Sequence, residues 1–344
     1  MDYELWVMNY EFELKIKNLK MKDLFSSFVL LSFVFLSCTV FGQSPLAQKP
    51  PKDDSLAMAL IETFEQGYPQ GSAYFKNIDT KNFIDNIKRR ITAPDKFCQG
   101  FGAQFCGPAA LIANTLIAEN PIGYVQLMID FYNHGEAVYF NGRDSIRLAP
   151  DERTRSYAGR ILEGVNEPEV KKRQWKGSEY VNNSELLSEN DADQLILLCL
   201  KYRYPGLFGR GTFQRGDATK KLGFGATMFK QFTQIAGEFF ALQYTAKGAS
   251  LHDFLPSQKK VWKTLLEACA QNKTIYLMVD GPYFRKQSEF VFWGSHFIRL
   301  FAIRDNGKTI DLDIWDYGYR RWIIGYKRER FFDALTAYLI VDNE

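Results

Sequence analysis

The chain has 344 residues, of which 46% are hydrophobic and 24% are charged, and this composition excludes a wholly disordered or fibrous protein. Its 43 basic and 40 acidic residues give a net charge of +3, too balanced for a protein that binds nucleic acid by neutralising phosphates. Five cysteines and three histidines are too few and too scattered for a zinc framework or a disulfide scaffold, so we expect no metal and no other cofactor.

An apolar run near the amino terminus, residues 24–40, predicts a signal peptide. Val40 and Gly42 supply the small residues that a signal peptidase requires, and they place the cleavage before Gln43. The run is diluted by serines and is marginal for a transmembrane helix of about 20 residues. We therefore expect residues 1–42 to be an N-terminal extension with a signal peptide, and the mature protein to be exported, periplasmic or secreted.

Two alternatives stay open at this terminus. A lipid anchor would place Cys38 at the processing site, although residues 35–37 fit a lipobox poorly, and the apolar run could also be retained as a membrane anchor. Contact with a membrane is expected only through such an anchor. Residues 1–20 carry several acidic side chains where a signal peptide has positive charge, so we expect Met21 to be the true start.

A Pro-rich linker at 43–54 is expected to precede a single domain at 55–344. Within this domain a helical front half comes before a back half of short apolar strands, and this order predicts an α+β fold with an antiparallel sheet. The stretch 121–250 reads mostly as helices and loops and is expected to be a long helical insert. Predicted helices cover 55–65, 79–90, 109–118, 124–132, 191–202, 226–235 and 257–271, and predicted strands cover 274–280, 296–303, 309–315, 321–326 and 337–341.

The strongest chemical signal is Cys106, which precedes Gly107 and Pro108 at the start of a predicted helix. Proline is favoured just inside a helix start because its missing N–H would be unpaired there anyway. The unpaired N–H groups and the dipole of a helix start stabilise a thiolate, which is a nucleophile toward carbonyl carbon. The same position also suits a small buried hydrophobic residue, which is the commonest role of a cysteine outside a disulfide.

A histidine and an acid that could assist this thiol come from a predicted hairpin. A three-residue loop at 305–307, with its glycine in a left-handed conformation, places His296 directly opposite Asp316. Directly opposed residues have side chains on one face, so the carboxylate can accept the imidazole N–H and orient the ring. A two-residue loop would instead pair His296 with Tyr317. The register therefore favours Asp316 over Asp313 and Asp311.

Three short blocks resemble the papain-like cysteine peptidase superfamily, and above all its C39-like branch. They are the CGPAA sequence at Cys106, the Gly-Ser-His sequence at 294–296 and the Trp-Asp-Tyr-Gly sequence at 315–318. The helix and strand expected at 257–281 are also similar to the element before the histidine strand in that branch. The resemblance implies a papain-like fold in which Cys106 is the nucleophile, His296 the general base and acid, and Asp316 the orienting residue.

The oxyanion hole departs from this pattern. The superfamily usually has a glutamine six residues before the cysteine, and this chain has Gly100 there. The resemblance implies Gln99 as the substitute, in preference to Gln104. The spacing between Cys106 and the histidine is also longer than in compact C39-like domains, so the insert could be a substrate-binding lobe or a cap.

The other cysteines leave several pairings open. Cys98 could form a disulfide with Cys199 or Cys269, because an exported protein meets oxidising conditions. A bond between Cys98 and Cys106 would instead block the nucleophile until it is reduced.

We expect a thiol hydrolase that cleaves peptide or other amide bonds in a peptide, protein or peptidoglycan substrate. Two alternatives remain: a non-catalytic papain-like binding module, and an acyltransferase or transglutaminase-type enzyme that passes the thioester to an amine.

Overall fold

The described part of the chain belongs to one compact unit, Lys52–Glu344. No helix in this part is both long enough and apolar enough to cross a membrane. The predicted signal peptide, almost all of the predicted linker, Cys98 and Gln99 lie outside the described residues. A computed structural model describes residues 54–67, 71–97, 105–159, 191–204, 229–248, 257–284, 296–316 and 318–342.

Helices dominate the first half of the described chain, as predicted. Their ends follow local rules: Asp79 accepts the N–H of Asn82 at one helix start, and Gly135 ends another helix with a φ of 71°. The helices are α1 (Asp54–Gly67), α2 (Thr80–Thr92), α3 (Cys106–Leu111, continued as a π-helix over Ile112–Ile117), α4 (Pro121–His134), α5 (Glu152–Tyr157), α6 (Asp191–Arg203) and α7 (Phe229–Gln234, continued as a π-helix over Ile235–Phe239).

The second half forms a six-stranded antiparallel sheet, which confirms the α+β class. A separate two-stranded hairpin consists of β1 (Ala137–Phe140) and β2 (Ser145–Leu148). The sheet contains β3 (Tyr244–Gly248), β4 (Ile275–Val279), β5 (His296–Asp305), β6 (Thr309–Asp316), β7 (Tyr319–Lys327) and β8 (Leu335–Val341) in the order β3-β8-β4-β5-β6-β7, and the remaining helices are α8 (Gln258–Ala270), α9 (Gly281–Phe284) and α10 (Arg328–Ala334).

Helices cover both faces of this sheet, so its central strand β4 is buried throughout. Tyr276 and Met278 point into a core shared with α1 to α4, α6 and α7, and we call this side the α3 face. Ile275, Leu277 and Val279 point into a second core shared with α8, α9 and α10, and we call this side the α8 face. The alternation along one strand therefore assigns each neighbouring side chain to a face.

The described parts of the stretch 121–250 contain short strands in addition to helices. The stretch contains the β1–β2 hairpin, and it ends in β3, which pairs with β8 at one edge of the main sheet. Strands of four or five residues are too short to show a clear period, and Tyr244–Gly248 alternates between half-buried and exposed residues. Three described helices of this stretch, α4, α6 and α7, pack into the core of the α3 face.

The register predicted for the β5–β6 hairpin is wrong. The prediction made residues 305–307 the loop, but β5 continues to Asp305, which lies opposite Ile310. The carboxylate of Asp305 accepts the N–H of Gly307, and Gly307 has the predicted positive φ, 84°. A bulge between Leu300 and Ala302 then shifts the register again.

Candidate active site

His296 and Asp316 are hydrogen-bonded at the end of the sheet, where β5 begins and β6 ends. The distance from His296 Nε2 to Asp316 Oδ1 is 2.6 Å. The two residues are 2% and 0% exposed. An ionised carboxylate can only accept hydrogen bonds, so in that state of Asp316 the imidazole Nε2–H donates and Nδ1 is the proton-accepting nitrogen.

A β-bulge puts these two side chains on the same face. The offset near the turn, with Asp305 opposite Ile310, would leave His296 and Asp316 on opposite faces if it continued along the hairpin. The bulge between Leu300 and Ala302 shifts the register by one residue and restores a common face. The two residues are therefore diagonal neighbours and not directly opposed, and their side chains still meet.

The second oxygen of Asp316 binds an arginine of the next strand. Arg321 on β7 donates from Nη2 to Asp316 Oδ2 over 2.9 Å. The Arg321 side chain is 35% exposed, whereas Asp316 has no exposure. One carboxylate thus links an imidazole on one side to a guanidinium on the other.

The other two acids of β6 serve different partners. Asp313 accepts a two-pronged interaction from Arg320, with the shortest distance 2.7 Å between Nη2 and Oδ2. Asp311 accepts the backbone N–H of Gly325 over 2.8 Å, and this bond holds the pKa of Asp311 below its usual value. Both carboxylates therefore fasten β6 to β7.

Cys106 is the first residue of α3, and this helix packs against β5, the strand that begins at His296. Gly107, Ala109 and Ala110 are all buried, and such small residues allow the helix to lie close to the sheet. The exposure of Cys106 is 5%. The predicted nucleophile and the predicted base therefore begin two elements that contact each other.

A buried polar link joins these two elements. Asn114, in the π-helical continuation of α3, donates from Nδ2 to the carbonyl oxygen of Ala110 over 2.8 Å. Its Oδ1 accepts from Arg299 Nη1 over 2.9 Å, and burial lowers the pKa of that guanidinium. Thr115 and Tyr276 share a further hydroxyl–hydroxyl bond of 3.0 Å. The helix of Cys106 is thus attached by side chains to β4 and β5.

Strand alternation decides where a thiol and the imidazole could meet. His296 pairs with Val279, which belongs to the α8 face, whereas α3 packs on the other side of the sheet. A contact between Cys106 and the imidazole must therefore form around the end of the strands, where α3 and β5 both begin.

Residues 95–97, which precede the predicted oxyanion-hole residue Gln99, pack close to Asp316. Trp315 donates from its indole N–H to the carbonyl oxygen of Asp95 over 2.7 Å, and Lys96 lies 4.1 Å from the centre of the Tyr319 ring. Gly318 has a φ of 82°, and a Cβ there would stand 3.1 Å from the carbonyl oxygen of Phe97. Gln99 itself lies outside the described residues.

The described cysteines each keep a thiol, so neither Cys199 nor Cys269 forms the disulfide that the sequence left open. Burial raises the pKa of Cys199 well above its ordinary value. Burial also raises the pKa of Cys269 to about 11. Both thiols are therefore poor nucleophiles near neutral pH.

Sequence reasoning missed the arginines of this site. Arg321 stands in a predicted strand, and Arg299 in another, but side-chain spacing alone does not show which acid or amide each one meets. A basic residue in the strand after the candidate acid is the one signal that could have drawn attention to Arg321.

Comparison with known proteins adds no relative: the sequence matches no known family model, and no curated protein is significantly similar to it. The resemblance to papain-like cysteine peptidases therefore depends on the three short blocks around Cys106, His296 and Asp316.

Proposed function

We propose that this protein is a papain-like thiol hydrolase of amide bonds. Cys106 is the nucleophile, His296 the general base and acid, and Asp316 the residue that orients the imidazole. The observation that carries the proposal is the 2.6 Å bond between His296 and Asp316, formed at the end of a strand that packs against the helix of Cys106. A histidine oriented by a buried carboxylate is the arrangement that activates a thiol or hydroxyl nucleophile.

The reaction proceeds in two steps, the formation of a thioester and its hydrolysis. His296 takes the thiol proton while the sulfur attacks the carbonyl carbon, and the resulting tetrahedral oxyanion collapses to a thioester as the imidazolium returns this proton to the leaving amine. Water then attacks the thioester with the imidazole as base, and the products are a carboxylic acid and the regenerated thiol.

The oxyanion is stabilised by donors at the start of α3. The backbone N–H of Cys106 is one such donor, because the first turn of a helix has N–H groups without intrahelical partners. We assign the second donor to the side chain of Gln99.

The substrate class follows from the compartment. The apolar run at 24–40 supports export to the periplasm or the cell exterior. In these compartments peptides, proteins and peptidoglycan stem peptides all contain amide bonds. Peptidoglycan and a casein-type protein are therefore the first substrates to test, each compared with Cys106→Ala. Turnover by the native protein that Cys106→Ala abolishes supports the hydrolase, and equal turnover by both proteins contradicts it.

Thiol labelling tests the same proposal without a substrate. Iodoacetamide should alkylate Cys106 faster than Cys199 and Cys269 near pH 7, and His296→Ala should remove the difference. Cys98→Ser serves as a control, because it removes the nearby thiol whose alkylation could be mistaken for that of Cys106. Equal and slow alkylation of all thiols would contradict the hydrolase.

A non-catalytic binding module is the second candidate, because Cys106 is only 5% exposed. It predicts slow alkylation of Cys106 and binding of a substrate fragment without turnover. An acyltransferase uses the same three residues, and added primary amines would then appear in the product.

A further inference from the structure

We propose that Arg321 is a positioning residue of this site, which holds Asp316 ionised with Oδ1 toward His296 and limits how strongly that carboxylate stabilises a protonated imidazole. The inference rests on the proposed function only for its consequence at Cys106. The two hydrogen bonds that support it join His296 to Asp316 and Asp316 to Arg321.

The two oxygens of Asp316 are divided between two strands. Oδ1 lies 2.6 Å from His296 Nε2, and Oδ2 lies 2.9 Å from Arg321 Nη2. Because each oxygen has its own partner, rotation of the carboxylate would break both bonds. Arg321 therefore fixes the orientation of the group that orients His296.

Burial makes the positive charge of Arg321 important. Asp316 is fully buried, and an ionised carboxylate without a cation is strongly disfavoured in such a place. Removal of a nearby cation strengthens the net negative potential at the imidazole, which favours protonation of the imidazole. The native guanidinium thus keeps His296 able to accept a proton from a thiol near neutral pH.

Other titratable groups reach the same end of the sheet, and the test must separate them from Arg321. Buried Asp280 follows β4, and its carboxylate accepts a backbone N–H at the start of α9. All of these groups stay in place when Arg321 alone is changed. At this end of the sheet, the described residues with titratable or charged side chains include Asp280 after β4, Asp316 on β6, Tyr319, Arg320 and Arg321 on β7, and Cys106 at the start of α3.

The matched control is the neighbouring residue, Arg320. It also contacts a buried carboxylate on β6, over 2.7 Å to Asp313, but on the α3 face. Arg320→Met removes the same charge one residue away without touching the dyad, and Arg321→Lys keeps a charge beside Asp316.

The experiment is an NMR pH titration of the imidazole signals in the full chain, with the His296 signal assigned by comparison with His296→Gln. Arg321→Met should raise the pH midpoint of His296 by about one unit, since a positive charge close to the ring is lost. Arg321→Lys and Arg320→Met should leave it near the native value. A merely structural role for Arg321 would instead give His296 the chemical shifts of a solvent-exposed imidazole, as the dyad comes apart, and that outcome would overturn the inference.

The outcomes separate this inference from the proposed function. An unchanged or lower midpoint in Arg321→Met, or an equal rise in Arg320→Met, would overturn the role of Arg321. If the midpoint rises as expected but alkylation of Cys106 does not depend on His296, then Arg321 keeps its role and the proposed function fails. If Arg321→Met does not fold, the same titration of Arg321→Gln decides the question by the same criteria.

Discussion

Strands β6 and β7 carry two Arg–Asp pairs, one on each face of the sheet. On the α3 face Asp313 is bound through two prongs by Arg320, and both side chains serve to hold the strands together. On the α8 face Oδ2 of Asp316 accepts from Arg321, and Oδ1 is hydrogen-bonded to His296. The same pair of residue types is thus structural in one place and part of a candidate active site in the other. The third partner makes the difference.

The largest effect should come from the acid itself. Asp316→Asn keeps the shape of the side chain but removes the charge that orients the imidazole, so we expect the hydrolytic rate to fall about 10²-fold or more. The rate is to be measured on whichever amide substrate the native protein turns over. Asp313→Asn is the matched change on the other face and should retain most of the rate; equal losses in both would remove the distinction between the faces.

A third Arg–Asp pair allows a test of what such a contact contributes to stability when both side chains are buried. Arg90 on α2 binds Asp193 on α6 over 2.7 Å, with side-chain exposures of 6% and 0%. Arg90→Met should lower the free energy of unfolding by about 3–5 kcal/mol, because it leaves a buried carboxylate without its cation. Denaturant unfolding measures this. Arg320→Met is expected to cost less because the Arg320 side chain is 41% exposed, and a larger cost there would contradict this account.

The polar link between α3 and β5 allows a finer test. Asn114→Leu removes the acceptor of Arg299 Nη1 and should lower the free energy of unfolding by about 1–3 kcal/mol. Because the link joins the helix of Cys106 to the strand of His296, alkylation of Cys106 should also slow. Thr115→Val removes only the bond to Tyr276 and is the control; similar alkylation rates in the two variants would show that the link does not position Cys106.

The smallest effect concerns a thiol away from the site. Burial raises the pKa of Cys269 to about 11, so this thiol stays protonated at neutral pH and its thiolate appears only as the pH approaches that value. Alkylation of Cys269 should therefore rise steadily up to about pH 11. Mass spectrometry of the labelled peptides measures it beside Cys106. A Cys269 rate that is already constant by pH 8 would contradict the pKa and remove the contrast between the two thiols.

The hydrogen bond between His296 and Asp316 shows that sequence reasoning can predict a contact between two side chains even when the predicted strand register is wrong. The three-residue loop was expected to place them directly opposite each other. The real turn, with Asp305 paired to Ile310, moves the partner of each β5 residue three positions toward the C terminus, and the bulge near Leu300 moves it back by one. Together the two changes amount to a shift of two residues, which preserves the face because strands alternate with a period of two.

Much of the secondary structure follows from local chemistry. The starts of α1, α2 and α8, the glycine at the end of α4 and the apolar strands 274–280 and 309–315 were predicted near their observed positions, because caps, turns and periodicity act within a few residues, whereas the short helices α5, α9 and α10 were missed. The short strands β1, β2 and β3 were missed, because four or five residues are too few to show a clear period, and because β3 is held by β8, which lies far along the chain.

By itself, the sequence determined the α+β class, the helix that begins at Cys106 and the prediction that His296 and Asp316 meet across the hairpin. The tertiary structure alone decided that β3 joins the main sheet, that Arg321 takes the second oxygen of Asp316, and that Arg299 reaches Asn114. These contacts join residues from different elements, and their geometry is set by packing and by a bulge. Neither is encoded in the spacing of any short stretch of residues.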